Sequence, residues 1–294
     1  MKILNFGSLN IDYVYRVSHI VLPGETISSD GYTVCAGGKG LNQSVALAKA
    51  GAPVYHAGLI GDEGSILIKV LEDSGADAGY IERIPGKSGH TIIQVDDAGQ
   101  NSIILYGGSN RAITKEYVDR VLEGFDEGDY LLLQNEISMM PYIIDRAYEK
   151  GMRLVLNPSP YNDNIASCDL NKISLFFINE IEGEQISGFS KPDEIIAYML
   201  DKYQNAAVVL TLVSAGAIYA DNGVRIHQPV FETVAVDTTA AGDTFTGYFL
   251  SLNIMGKSCK ECLRWAAKAA SLAVSKEGAA QSIPEYAQVE KALI

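Results

Sequence analysis

Histidine and cysteine are scarce here, with four of each in 294 residues. His19, His56, His90 and His227 form no spaced cluster, and Cys35, Cys168, Cys259 and Cys262 are too few and too scattered for a disulfide scaffold. That usage fits a reducing compartment, the cytosol. Cys259-Lys-Glu-Cys262 has the spacing of a metal or redox pair, but no second pair or nearby histidine completes it, so no structural metal is expected. Apolar runs of membrane-spanning length are missing too. The start, Met1 to Gly7, reads as a short strand with neither the apolar stretch nor the small-residue cleavage site of a signal peptide. Positive charge is the last shortage: 23 Lys and Arg face 36 Asp and Glu, a formal net charge of −13. Nucleic acid and anionic membranes would be repelled, and an anionic cosubstrate needs locally positive potential.

What is present is an ordinary globular composition, 47% hydrophobic, with a mean hydropathy of +0.07. Short β-rich runs at 2–7, 53–59, 129–134, 152–157, 174–178 and 206–211 alternate with helical segments. Helix 39–50 closes at Gly51, helix 138–150 closes at Gly151, and helix 192–203 opens at Pro192. This alternation predicts one α/β domain spanning 1–294, a three-layer sandwich around a mostly parallel central sheet, with ligands off the strands' carboxyl ends. Two regions break it. Segments 12–17 with 30–35, and 90–96 with 101–106, read as antiparallel pairs forming a small β-sheet lid over about 12–35 and 90–106. Asp221-Asn222-Gly223 marks a third, peripheral hairpin.

The densest chemistry is Val236-Asp-Thr-Thr-Ala240-Ala241-Gly242-Asp243-Thr-Phe245. Apolar residues at near-helical spacing follow it up to Gly256, so the small residues lie at a helix start, where free amides and the helix dipole favour an anion. A carboxylate there repels the anion unless it has another task, such as taking a proton from an attacking hydroxyl. A capped helix start is the competing reading. A second cluster joins Gly7-Ser-Leu-Asn10-Ile-Asp12 to Gly37-Gly38-Lys39-Gly40-Leu-Asn42-Gln43, whose mixed donors and acceptors suit a polyhydroxylated ligand. GGKG is neither a Walker A loop nor a GxGxxG fingerprint. Glu136 stands at a strand end. Asn179-Glu-Ile-Glu182 is either a cleft-facing oxygen pair suited to hydrated Mg²⁺ or a helix-capping arrangement.

Taken in order, these segments resemble the ribokinase (PfkB) family of carbohydrate kinases nearly end to end. The resemblance rests on GSLNID, PGET (Pro23 to Thr26), GGKGLNQS with Gly51 and Gly61 at the expected spacings, LNPSP (Leu156 to Pro160), NExE, DTTAAGDTFTG and GAAQSIP (Gly278 to Pro284). It implies ATP-dependent phosphorylation of the ribose 5-hydroxyl, with a kinase of the same family acting on another furanose or a nucleoside as the alternative. It implies that Asn10, Asp12, Gly38, Lys39, Asn42 and Glu136 hold the sugar, that Asp243 is the general base, and that Gly242 with Ala240 and Ala241 forms the anion hole. By the same resemblance Asn179 and Glu182 orient Mg²⁺ and phosphates, and Thr211, Leu212, Val213, Ser214, Ala215 and Gly216 line the nucleotide site. Asp237, Thr239, Ala273, Lys276, Gly278 and Ser282 match the positions around a monovalent cation, usually K⁺, and a homodimer paired through the lid is implied as well. Three departures stand out. Val213 replaces a glycine of the family's TLGxxG, Thr246 and Tyr248 alter the packing behind the catalytic helix, and Gly107-Gly-Ser-Asn110 matches the family's lid-side segment only loosely.

Overall fold

Tyr130-Leu-Leu-Leu-Gln134 is buried at all five positions, as a strand must be when helices cover both faces of its sheet. In the computed structural model, which describes residues 1–294, it is one of thirteen strands. These are β1 Ile3–Phe6, β2 Asn10–Arg16, β3 Gly31–Gly37, β4 Val54–Ile60, β5 Asp77–Arg83, β6 Gly89–Val95, β7 Asn101–Tyr106, β8 Tyr130–Gln134, β9 Arg153–Asn157, β10 Ile173–Asn179, β11 Ala207–Leu212, β12 Gly216–Ala220 and β13 Arg225–Gln228. Nine of them form one sheet in the order β13-β12-β11-β10-β9-β8-β1-β4-β5. Every pairing from β5 to β11 is parallel, and β12 and β13 add an antiparallel edge.

Period-2 alternation sends successive side chains to opposite faces. Leu131 and Leu133 join a core of 36 buried residues on one face, while Tyr130 and Leu132 join one of 35 on the other. The expected helices appear as Lys39–Lys49, Met140–Glu149 and Pro192–Lys202. Helix Ala241–Ile254 is buried from Asp243 through Leu252 and packs closely on helix Lys39–Lys49. A Cβ at Gly247 would lie 2.4 Å from the Ala46 Cβ and 2.8 Å from the Leu47 nitrogen, so only glycine permits this approach. Tyr248 is accommodated behind it, fully buried, with its hydroxyl donating to the Pro284 carbonyl at 2.7 Å. No helix is long and apolar enough to cross a membrane.

The two irregular regions form a separate four-stranded sheet, β3-β2-β6-β7. Both hairpins read from the sequence are present, and a parallel β2–β6 pairing joins them. The Asp221-Asn222-Gly223 turn links β12 to β13, with Asp221 Oδ1 accepting from the Gly223 and Val224 amides at 2.8 Å each.

Candidate active site

Strand order reverses at β1, with β4 and β5 on one side and β8 to β11 on the other. Loops leaving neighbouring strands toward opposite sides open a crevice at the carboxyl ends. A cavity of about 480 Å³ lies there, roofed by Thr91, Ile93, Ile103 and Leu105 of the small sheet. All six residues read as sugar contacts line it, as do Asp243 and its neighbours Ala240, Ala241 and Gly242.

Asn10 and Asp12 alternate along β2 and face the cavity together. Asn110 Nδ2 donates to Asn10 Oδ1 at 2.8 Å, and Asn110 Oδ1 accepts from the Leu9 amide at 3.0 Å, so the loosely matching Gly107–Asn110 segment still orients a cavity residue. Thr91 Oγ1 donates to Asp12 Oδ1 at 2.5 Å. Gly37 gives that carboxylate its room, since a Cβ there would fall 1.9 Å from Asp12 Oδ2. Burial pushes the Asp12 carboxyl up to about 6, against the lowering effect of the Thr91 hydrogen bond and with a contribution from the Glu136 charge.

Helix Lys39–Lys49 starts from Gly38, at φ 93°. Gly40 lies against the end of β1, where a Cβ would be 2.3 Å from the Ser8 nitrogen. The glycines thus serve a close approach between helix start and strand end, and that approach sets the cavity floor. Glu136 Oε2 accepts from the Lys39 amide at 3.0 Å and from the Ser8 hydroxyl. Burial alone would lower the Lys39 ammonium, but Asp243, Glu136 and Glu182 outweigh it and hold the group above the ordinary lysine range. An acidic protein therefore keeps a fixed positive charge in its cavity.

Ala240 at φ 60° turns the chain into helix Ala241–Ile254. The amides of Gly242 and Asp243 have no acceptor within the chain, and a Cβ at Gly242 would meet no protein atom within 4 Å. No packing requirement explains this glycine, and a bare backbone facing the cavity is what an approaching anion needs. Asp243 is buried, yet both its oxygens are engaged: Oδ2 accepts from Asn42 Nδ2 at 3.0 Å and Oδ1 from Gln43 Nε2 at 2.9 Å. Asn42 Oδ1 is a buried acceptor without a partner, open to a hydroxyl donor from a ligand.

Asn179 and Glu182 are helix-capping residues that also face the cavity. They form a reciprocal capping box, with the Glu182 amide donating to Asn179 Oδ1 at 2.9 Å and the Asn179 amide to Glu182 Oε2 at 3.0 Å, and both line the cavity. Of the Thr211–Gly216 segment, Thr211 lines the cavity, Leu212 is buried, and Val213 is 85% exposed. Val213 sits at φ 30°, a region that β-branched residues rarely adopt. Val213→Gly is expected to relieve that strain, which outweighs the entropy glycine adds to the unfolded chain, for a net gain of up to about 1 kcal/mol. Thermal melts check it: a rise of about 2–4 °C is the expected result, and an unchanged or lower midpoint would show the turn to be unstrained.

Asp237 ties together the segments that hold the residues read as cation neighbours. Its Oδ1 accepts from the Thr239 amide and hydroxyl at 2.8 and 2.5 Å, and its Oδ2 from the Gly278 amide at 2.9 Å. Burial opposes the Asp237 charge, but these hydrogen bonds prevail and hold the carboxyl below its ordinary value. Ala273 and Ser282 are buried nearby in sequence, and the Lys276 amide donates to the Ala273 carbonyl at 3.1 Å. No three His, Cys, Asp or Glu side chains gather as a metal centre.

Sequence reading gave no role of their own to Ser8 and Gln43, which it placed in the second cluster, or to Asn110 of the loosely matching segment, and it overlooked Thr91. Alternation along β6 could have pointed to Thr91, opposite Asp12 in the β2–β6 register. Nothing local marks Asn110, whose partners are a hundred residues away.

The chain matches the pfkB family carbohydrate kinase over residues 1–286. It is 33% identical to the ribokinase of Haemophilus influenzae, over 95% of this chain and 94% of that one. Identity with the ribokinase of Staphylococcus aureus is 33%, over 99% of each chain. Among solved structures, Arabidopsis thaliana ribokinase complexed with ribose and ATP superposes with a TM-score of 0.86 at 30% identity, covering 99% of this chain and 98% of that one. Cryptococcus neoformans ribokinase in complex with ADP gives the same TM-score at 31% identity, over 99% of each chain. A cavity at the strand reversal, a helix start with free amides beside a buried carboxylate, and likeness over almost the whole length lead to one conclusion: the chain belongs to the pfkB family of carbohydrate kinases.

Proposed function

We propose that the protein is an ATP-dependent ribose kinase that transfers the terminal phosphoryl group to the sugar 5-hydroxyl. The observation that carries this reading is the convergence of Asp243, at a helix start with two unpaired amides, with Asn10, Asp12, Lys39, Asn42 and Glu136 on one cavity. Asn10, Asp12 and Glu136 accept sugar hydroxyls, Lys39 and Asn42 hold the remaining oxygens, and the apolar roof excludes water. Asp243 takes the 5-hydroxyl proton as the oxygen–phosphorus bond forms and the bond to the ADP leaving group breaks. The Gly242 and Asp243 amides stabilise charge on the transferring group.

Asn179 and Glu182 offer oxygen donors that fit a hydrated Mg²⁺, which when bound neutralises phosphate charge. Asp237, with the carbonyl-rich turns it ties together, fits K⁺ beside the anion hole. Thr211–Gly216 would face the nucleotide. Free cysteines throughout suit a cytoplasmic enzyme. ADP release measured with MgATP and K⁺ against ribose, 2-deoxyribose, fructose, adenosine and inosine tests the reading, with a repeat in Na⁺. Ribose should turn over best and slow in Na⁺; turnover with a nucleoside alone, or with nothing, would overturn it.

Asp12 sets a pH dependence. Because its carboxyl titrates near 6, protonation below that pH removes an acceptor for the sugar. The KM for ribose is expected to rise as pH falls through about 6, by up to tenfold per unit, with Thr91→Val moving the break upward. The stability effect has the opposite sign. A folded-state value raised above the ordinary 3.8 adds stability that is complete below 3.8 and lost as pH rises through about 6. A flat KM between pH 5 and 7.5 would contradict this assignment.

The small sheet acts as a lid and as the dimer contact. Its outer face exposes Tyr32, Val34, Ile92, Ile104 and Tyr106, and its edge strands β3 and β7 have no outer partner, a combination that invites a second copy. Light scattering at micromolar concentration should report twice 31.7 kDa, and Ile104→Lys should shift it to monomer. A wild-type monomer would refute the contact.

A further inference from the structure

Asp243 is gripped by two consecutive residues of helix Lys39–Lys49, and they differ in kind. Asn42 lines the cavity; Gln43 does not, and it is fully buried. Neighbouring helix positions project about 100° apart, so the two amides reach the carboxylate from different sides, each taking one oxygen. Gln43 in turn is held from behind. Gln134 Nε2 donates to Gln43 Oε1 at 2.6 Å and to Asn5 Oδ1 at 2.9 Å. Asn5 Nδ2 then donates to the Gly40 carbonyl and to Ser44 Oγ, at 2.8 Å each. The Gly40 carbonyl can only accept, as can the Asp243 carboxylate, so the direction of every amide between them is settled. A flipped Gln43 would set Oε1 against Asp243 and its NH₂ against the Gln134 NH₂.

We propose that Gln43 is a positioning residue for Asp243, part of a buried amide relay, Gln43–Gln134–Asn5, that locks the carboxylate toward the acceptor hydroxyl. The proposal rests on the kinase reading above. It assigns Gln43 no contact with sugar or phosphate. With Asn42 alone, the carboxylate keeps one anchor and can swing, and a misplacement of about 1 Å in a reacting group costs on the order of 10²-fold in rate.

Gln43→Met keeps the volume and removes the donor. The expected result is a kcat lower by about 10- to 100-fold, a ribose KM within about threefold of wild type, and a melting midpoint lower by a few degrees, because Gln134 Nε2 and Asp243 Oδ1 each lose a buried partner. A crystal structure of the variant should show the Asp243 carboxylate rotated or in two rotamers. A folded variant with wild-type kcat and an unmoved carboxylate would overturn the proposal, as would a ribose KM that rises in step with the fall in kcat. If methionine prevents folding, Gln43→Asn, one methylene shorter and still polar, carries the same readings. The rotamer measurement needs no substrate. A wild-type protein that phosphorylates no sugar would refute the kinase reading and leave the Asp243 orientation to decide this one.

Discussion

Asp243→Asn is expected to slow turnover by about 10²- to 10⁴-fold while ribose and nucleotide binding stay near wild type. The replacement matches the carboxylate in shape but cannot take the hydroxyl proton. The site adds a second cost. Asn42 and Gln43 donate to the two Asp243 oxygens at 3.0 and 2.9 Å, so the new amide must set its NH₂ against one of two donors. A buried donor facing a donor costs about 1–3 kcal/mol, and a lower melting midpoint should accompany the loss of rate. Calorimetry with ribose and with an ATP analogue separates binding from turnover. A kcat within a few-fold of wild type would remove Asp243 from the base role, whatever the binding data say.

Gly242→Ala should show the opposite pairing of stability and activity. A Cβ at Gly242 meets nothing within 4 Å, and alanine in a helix is favoured over glycine by up to about 1 kcal/mol, so the variant should fold and melt slightly higher. The methyl nevertheless projects into the space beside two free amides, where the transferring phosphoryl group is placed by the proposed mechanism. Blocking such a donor pair costs about 10²–10³-fold in kcat. Gly242→Val extends the test, with a larger loss for the bulkier side chain. A more stable protein with full activity would show that the phosphoryl group lies elsewhere.

The contrast between these two positions shows what a sequence can carry. Gly242 and Asp243 were legible because their chemistry is local: small residues, a helix start and a carboxylate fall within ten positions. The capping box at Asn179 and Glu182 was legible for the same reason, although sequence alone could not show that the box also faces the cavity. Gln43 was not legible as a positioning residue. Its partners are Asn157, Gln134 and Asp243, each on a different element, and no spacing within the chain encodes that meeting. Val213 falls between the two cases. Its departure from the family pattern was visible, but only the fold showed that the hairpin turn between β11 and β12 holds it at φ 30°.

By itself the sequence determined the alternation of strands and helices, the two hairpins of the small sheet and the order of the motifs, because hydrophobic period, turn residues and helix caps act over a few residues. Tertiary structure decided the rest: the strand reversal beside β1, the parallel β2–β6 pairing that turns two hairpins into one roof, and the burial that lifts Asp12 to about 6. Those depend on contacts between segments tens to hundreds of positions apart. Their energies come from desolvation and close packing, and both exist only once the chain has closed on itself.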